Sequence, residues 1–253
     1  MERFNLNVYG QDVTLSIESR LYDPKNTRIL RPHDYFAQGT DSNLEIILSY
    51  GKRRRALADD DFLQITNYRG RAGSHIIRQL VCYLAAYHSR AFDIVHGSGL
   101  LMDSRKSLGV LLIGAAHCGK STLGAKLGGI VMDDDLMLVS GDTMRVAGKM
   151  GFVTYKHLES GRKYLTPLPN GVKEAHIGLV FLLDKKQEGG TYLDVDNTIP
   201  RKYARLDDLA PILKDAYLRM SPIRVEAPIF RLGTRGKLPQ TLRTAEYIID
   251  QHI

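Results

Sequence analysis

Eight consecutive residues suggest the first chemistry in the chain. Gly114-Ala115-Ala116-His117-Cys118-Gly119-Lys120-Ser121 satisfies the pattern G-x-x-x-x-G-K-[ST] at every fixed position. In such a loop the glycines let the backbone turn tightly, so that its N–H groups point inward at phosphate oxygens. The start of the following helix adds a positive dipole end. Lys120 then reaches the β- and γ-phosphates, and the Ser121 hydroxyl ligates magnesium. The expected nucleotide-binding set runs from Gly114 to Thr122 and includes Ala115, Ala116, His117, Cys118 and Gly119. The expected ligands are ATP or another nucleoside triphosphate, with magnesium. His117 and Cys118 occupy variable positions; Cys118 reads as a small filler, although a helix N-terminus can depress a thiol pKa.

Magnesium calls for an acid, and Asp133-Asp134-Asp135 follows the loop closely. The triplet interrupts the apolar run formed by Ile130-Val131-Met132 and Leu136-Met137-Leu138-Val139. Three adjacent carboxylates in such a setting are costly to bury unless a metal or a lysine such as Lys120 compensates them. Asp184, which ends the run LVFLLD, is a rival acid, but Lys185 and Lys186 follow directly and mark an exposed strand end. His96, standing before Gly97, reads from its local sequence alone as a turn residue.

The elements around these residues are consistent with their roles. Val110–Ile113 is an apolar strand entering the loop, and a helix opens at Lys120 and runs to about Leu127. From Phe92 onward, short apolar runs alternate with glycine-bearing turns. The later run IGLVFLLD is almost continuously apolar, as in a strand buried on both faces. Further helices are expected over Leu206–Met220 and Pro239–His252, and loops or a small hairpin between Gly151 and Gly171. Strands alternating with helices give an α/β core. Residues 1–90 are strand-rich: Phe4, Leu6, Val8 and Val13, Leu15, Ile17 alternate around Gly10 as in a hairpin. Glu45–Ser49 and Phe62–Thr66 add two strands. A helix over Ser74–Arg90 turns a stripe of Ile76, Ile77, Leu80, Val81 and Leu84 toward the core. Residues 91–253 form the core, and no linker separates the two parts.

Composition narrows the setting. With 253 residues, 43% apolar and 25% charged, the chain resembles an ordinary globular protein. No stretch approaches the roughly 20 apolar residues of a membrane span. The first residues lack a secretory pattern, and the two cysteines suggest neither a disulfide framework nor a metal site, so a cytoplasmic location is expected. The net charge of +7 favours phosphate-bearing partners. The densest basic run, Lys52-Arg53-Arg54-Arg55, lacks interleaved aromatics and reads as a solvated loop.

The succession VHGSGLL, GVLLIGAAHCGKSTLGAKL and GGIVMDDDLML resembles the catalytic domain of the HPr kinase/phosphorylase family over roughly residues 92–147. The C-terminal APIFRLGTRGKLPQTLRTAEYII is similar to the closing strand and helix of that group, less specifically. The resemblance implies a P-loop, HPr-kinase-like kinase that uses a nucleoside triphosphate and magnesium to phosphorylate a hydroxyl. By position, His96 matches the family's active-site histidine, and Lys120 and Ser121 match its loop pair. The family's Asp-Asp falls best on Asp134, as the base toward the acceptor hydroxyl, and Asp135, as a magnesium or second-sphere partner; a shift onto Asp133 and Asp134 is the alternative. True family members are hexamers, which makes a homo-oligomer the family expectation. The chain departs from the pattern at Ala116-His117, where the family has Ser-Gly, and it lacks the glycine-rich segment that helps bind the protein substrate. HPr itself is therefore disfavoured as acceptor.

The leading expectation is a kinase acting on a serine of a protein or peptide, or on a small molecule. A nucleotide-binding regulatory module without transfer activity is one alternative. A nucleic-acid-acting NTPase or RNA kinase, suggested by the net charge, is the less favoured one.

Overall fold

The computed structural model describes residues 1–19, 32–49, 55–59, 62–66, 74–115, 117–156, 163–168, 171–200, 222–236 and 238–253. The helix expected over Leu206–Met220 lies outside these residues, as does the basic run apart from Arg55.

The architecture is mixed α/β and strand-rich, with several sheets. The alternating apolar residues of the first segment form a hairpin, β1 (Glu2–Val8) and β2 (Gln11–Ile17), in which Phe4 faces Leu15 and Leu6 faces Val13. This period of two buries one face of each strand. A short helix α1 (Pro32–Tyr35) and strand β3 (Ala37–Gln38) follow, then β4 (Glu45–Ser49), β5 (Arg55–Asp59) and β6 (Phe62–Thr66). Together they make a six-stranded sheet in the order β3-β1-β2-β4-β6-β5.

Helix α2 (Ser74–Ser89) crosses from this sheet to the rest of the chain. The apolar periodicity predicts a stripe, yet every residue from Ile77 to Ala86 is buried, Arg78 and Gln79 included. The helix is covered on several sides because β1, β2, β7 (Asp93–Val95) and β14 (Lys163–Pro167) all pack against it. One apolar cluster joins Leu6, Leu15 and Ile46 to Leu80 and Val81, and onward to Ile94, Leu138 and Phe152. A continuous core therefore crosses residue 90, and the Tyr9 hydroxyl, donating to the Val146 carbonyl at 2.6 Å, bridges the same junction.

The second sheet contains β7, β8 (Gly97–Asp103), β9 (Leu108–Gly114), β10 (Ile130–Asp133), β11 (Met137–Ser140), β12 (Thr143–Val146), β15 (Glu174–Glu188), β16 (Tyr192–Val195) and β19 (Ile229–Arg235). Its main path is β10-β8-β9-β15-β12-β11-β7. Strand β15 is parallel to β9 along one edge; along the other it meets β12 with its first residues and β19 further on. Alternate residues of β9 and β15 enter two cores: Leu111, Ile113, Val180 and Leu182 on one face, Val110, Leu112, Leu179 and Phe181 on the other. That two-sided burial explains their unbroken apolar runs. Helices α3 (Lys120–Lys126) and α4 (Leu238–His252) cover the second of these faces through Leu123, Ala245, Ile248 and Ile249. Between Gly151 and Gly171 the chain forms the hairpin β13 (Phe152–Lys156) and β14. A two-stranded pair, β17 (Thr198–Ile199) and β18 (Ile223–Arg224), completes the described elements. No described helix is long and apolar enough to cross a membrane.

Candidate functional site

Strand register brings three segments to one edge of the second sheet. Ile113, next to the end of β9, faces Gly97, so His96 stands beside the start of the Gly114–Ser121 loop. Strand β10 pairs antiparallel with β8 and therefore runs in the same direction as β9. Its last residue, Asp133, faces Gly99. The loop, the histidine and the acidic turn thus lie at neighbouring strand ends, where ligands of open α/β sheets commonly bind.

The loop turns on two residues with positive φ, His117 at 61° and Gly119 at 99°. Such a conformation is easily reached by Gly119 and is unusual at His117. Helix α3 begins immediately afterward, at Lys120. The Lys120 ammonium is buried and donates to the carbonyls of Gly114 (2.9 Å) and Ala115 (3.2 Å), bracing the loop across its mouth. Ala115, His117, Ser121 and Thr122 are exposed, whereas Ala116 lies outside the described residues. Cys118 is buried, and burial raises its thiol pKa against the opposing pull of Lys120. The depression that a helix N-terminus can produce is therefore outweighed, and Cys118 serves as filler: a Cβ on Gly114 would lie only 2.4 Å from its Sγ.

The three aspartates have distinct surroundings. Asp133 is wholly buried. Its Oδ1 accepts N–H bonds from Asp135 and Leu136, both at 3.0 Å, and its Oδ2 accepts one from Phe152 at 3.0 Å. The Arg78 guanidinium meets the same carboxyl, with Nη1 at 3.3 Å and Nη2 at 2.5 Å. Burial pushes the Asp133 carboxyl up, opposed by Arg78 and the backbone donors. Burial also disfavours the Arg78 charge, but the Asp133 carboxylate more than offsets this and raises the arginine pKa. Asp133 is thus engaged with its own protein on both oxygens.

Asp134 and Asp135 are nearly buried, yet Oδ1 of Asp134 and Oδ2 of Asp135 have no hydrogen-bond partner. Burial raises the Asp134 pKa to about 6; the nearby Ser121 hydroxyl opposes the rise, and the charges of Asp133 and Asp135 add to it. Asp135 faces His96 instead, with Oδ1 3.7 Å from Nε2. Ser121 thus lies on the Asp134 side of the turn and His96 on the Asp135 side.

Buried oxygens without a donor are costly unless a cation approaches them, so the acidic turn fits a hard cation. Among the described residues, no group of three or more His, Cys, Asp or Glu side chains gathers as a metal cage. Magnesium does not require one, since it is commonly held by one or two carboxylates together with waters and substrate phosphates.

The rival acid Asp184 does not end its strand as expected, because β15 continues to Glu188; it is partly exposed, stands where the pairing with β19 shifts register, and its Oδ1 accepts the Lys186 N–H at 2.9 Å. Arg78 and Phe152 went unrecognised in the sequence. The only signal for Arg78 is a charged residue one turn into the largely apolar IIRQLVCYLAAY.

No protein-family model matches this chain, and no curated protein matches it. Among solved structures, the Hpr(Ser) kinase/phosphatase from Coxiella burnetii is similar over 63% of this chain and 90% of its own, with 16% sequence identity and a TM-score of 0.36. That is a distant likeness of fold.

Proposed function

We propose that the chain is a magnesium-dependent kinase that transfers the γ-phosphate of a nucleoside triphosphate to a hydroxyl acceptor. The observation that supports this reading is the convergence, at one sheet edge, of the Gly114–Ser121 loop with two buried carboxylates that retain unpartnered oxygens. The loop binds the phosphate chain, and Lys120 leaves its carbonyl partners to meet the β- and γ-phosphates. Asp134 accepts the proton of the acceptor hydroxyl. The freed oxygen bonds to the γ-phosphorus as the bond to the bridging oxygen breaks, and the nucleoside diphosphate leaves. His96 orients Asp135. Ser121 and Asp135, with Asp134 beside them, would hold magnesium, which supplies charge neutralisation on the phosphates. Transfer of this kind depends on positioning and electrostatics more than on covalent help.

The acceptor is a serine of a protein or peptide, or a small molecule, and the setting is cytoplasmic. The test is incubation with γ-labelled ATP, magnesium and lysate of the source organism, alongside Lys120→Ala. Label on a discrete acceptor, only with the intact chain, supports the kinase and gives the acceptor's size class. Tight nucleotide binding with no transfer to any fraction would favour a regulatory module. Label on RNA, with salt-dependent RNA binding, would favour an RNA kinase.

A further inference from the structure

The acidic turn is held from a part of the chain distant in sequence. Asp134 and Asp135 are adjacent on a bend, so the backbone of this turn decides where their carboxylates point. That backbone is tied at each residue. Asp133 accepts the N–H groups of Asp135 and Leu136. The Asp134 N–H donates to the Phe152 carbonyl at 2.9 Å, while the Phe152 N–H returns to Asp133. Arg78 closes the arrangement: one nitrogen, Nη2, donates both to Asp133 and to the Leu136 carbonyl at 3.3 Å. Its guanidinium carbon stands 5.1 Å from the Phe152 ring centre. Neither Arg78 nor Asp133 has any exposed side-chain surface.

A buried ion pair is weak as a stabilising device, because desolvation cancels much of the attraction, and an apolar pair often does as well. This pair does something an apolar pair cannot. Asp133 supplies acceptors for three backbone N–H groups, and the Arg78 charge offsets the mutual repulsion of three consecutive carboxylates. The fork geometry of arginine places Nη1 on Oδ1 while Nη2 holds Oδ2 and the Leu136 carbonyl, a two-nitrogen grip that a single ammonium cannot reproduce.

We propose that Arg78 is a positioning residue: acting through Asp133, it sets the turn that aims Asp134 and Asp135 at the metal-bound nucleotide, which makes helix α2 of the N-terminal region a working part of the site. The inference rests on the kinase reading above.

The test uses the full chain and a fluorescent ATP analogue, with affinity measured in EDTA and in magnesium. The wild type should bind more tightly with magnesium. Arg78→Lys keeps a charge opposite Asp133 but loses the fork. It should retain its EDTA affinity within about twofold and lose about tenfold to a hundredfold of the magnesium-dependent gain, the range seen when outer-sphere partners of metal ligands are removed. Arg78→Met should lose the gain altogether. A full magnesium gain in Arg78→Lys overturns the inference. So does a parallel loss of EDTA affinity, or loss of a cooperative thermal melt in Arg78→Lys, since either makes Arg78 a general stabiliser. A wild-type chain that binds no nucleotide in either buffer overturns the kinase reading itself, and this inference with it.

Discussion

The Ser121 hydroxyl, at the start of helix α3, lies near enough to the Asp134 carboxyl, just past the end of β10, to favour its charged form. Burial nevertheless prevails, and the Asp134 pKa rises from 3.8 to about 6. The folded chain therefore holds a proton that the unfolded chain releases between these values. The stability this group contributes is complete below pH 3.8 and is lost as pH rises through about 6. Asp134→Asn should stabilise the metal-free protein above pH 6 by on the order of 2–3 kcal/mol, and by little near pH 4. Thermal melts across pH check this; equal effects at both ends would refute it.

The same substitution separates two roles for Asp134. As the base, its loss should cost roughly a hundredfold to ten-thousandfold in turnover and leave magnesium-dependent nucleotide affinity unchanged. As the acid that shares a cation with Ser121, its loss should remove the magnesium-dependent gain as well. In the wild type, kcat/KM, which reports the free protein, should rise with pH through about 6, where Asp134 becomes a carboxylate.

His96 reaches the site through Asp135, 3.7 Å away, at the junction of β7 and β8. His96→Ala should lower turnover roughly tenfold to a hundredfold and spare nucleotide affinity in EDTA. Wild-type turnover would return His96 to the role of a turn residue.

Lys120 braces the loop through Gly114 and Ala115 and is its only fixed-position cation. Lys120→Ala should abolish transfer and weaken nucleotide binding both with and without magnesium. Retention of affinity in both buffers would mean that phosphates bind elsewhere.

Gly151 lets β13 pass over the end of β10. A Cβ at this position would lie 1.5 Å from the Met132 carbonyl oxygen and 2.7 Å from its carbon, both backbone atoms. Gly151→Ala should destabilise the fold by roughly 3 kcal/mol. It should also pull the Phe152 N–H from Asp133 and so reduce the magnesium-dependent gain in nucleotide affinity. A denaturation midpoint equal to that of the wild type would contradict the crowding.

Features that depend on neighbouring residues were legible in the sequence. The spacing of Gly114, Gly119, Lys120 and Ser121 needs only one strand, one turn and one helix start. The alternation of Phe4, Leu6 and Val8 with the mirrored Val13, Leu15 and Ile17 specifies a hairpin, and α2 and α4 have the expected extents to within a residue at each end. The tertiary structure decided what depends on residues remote in sequence. Asp133, Asp134 and Asp135 are chemically identical in the sequence. They differ in the fold because Arg78, 55 positions away, and the Phe152 N–H engage the first, Ser121 lies near the second and His96 faces the third. Likewise, the periodicity of α2 indicates one buried stripe, but burial on its other sides comes from β7 and β14, whose approach no local pattern encodes. Satisfying buried charges and backbone donors is a long-range requirement of the folded chain, and it is met here by contacts that spacing alone does not reveal.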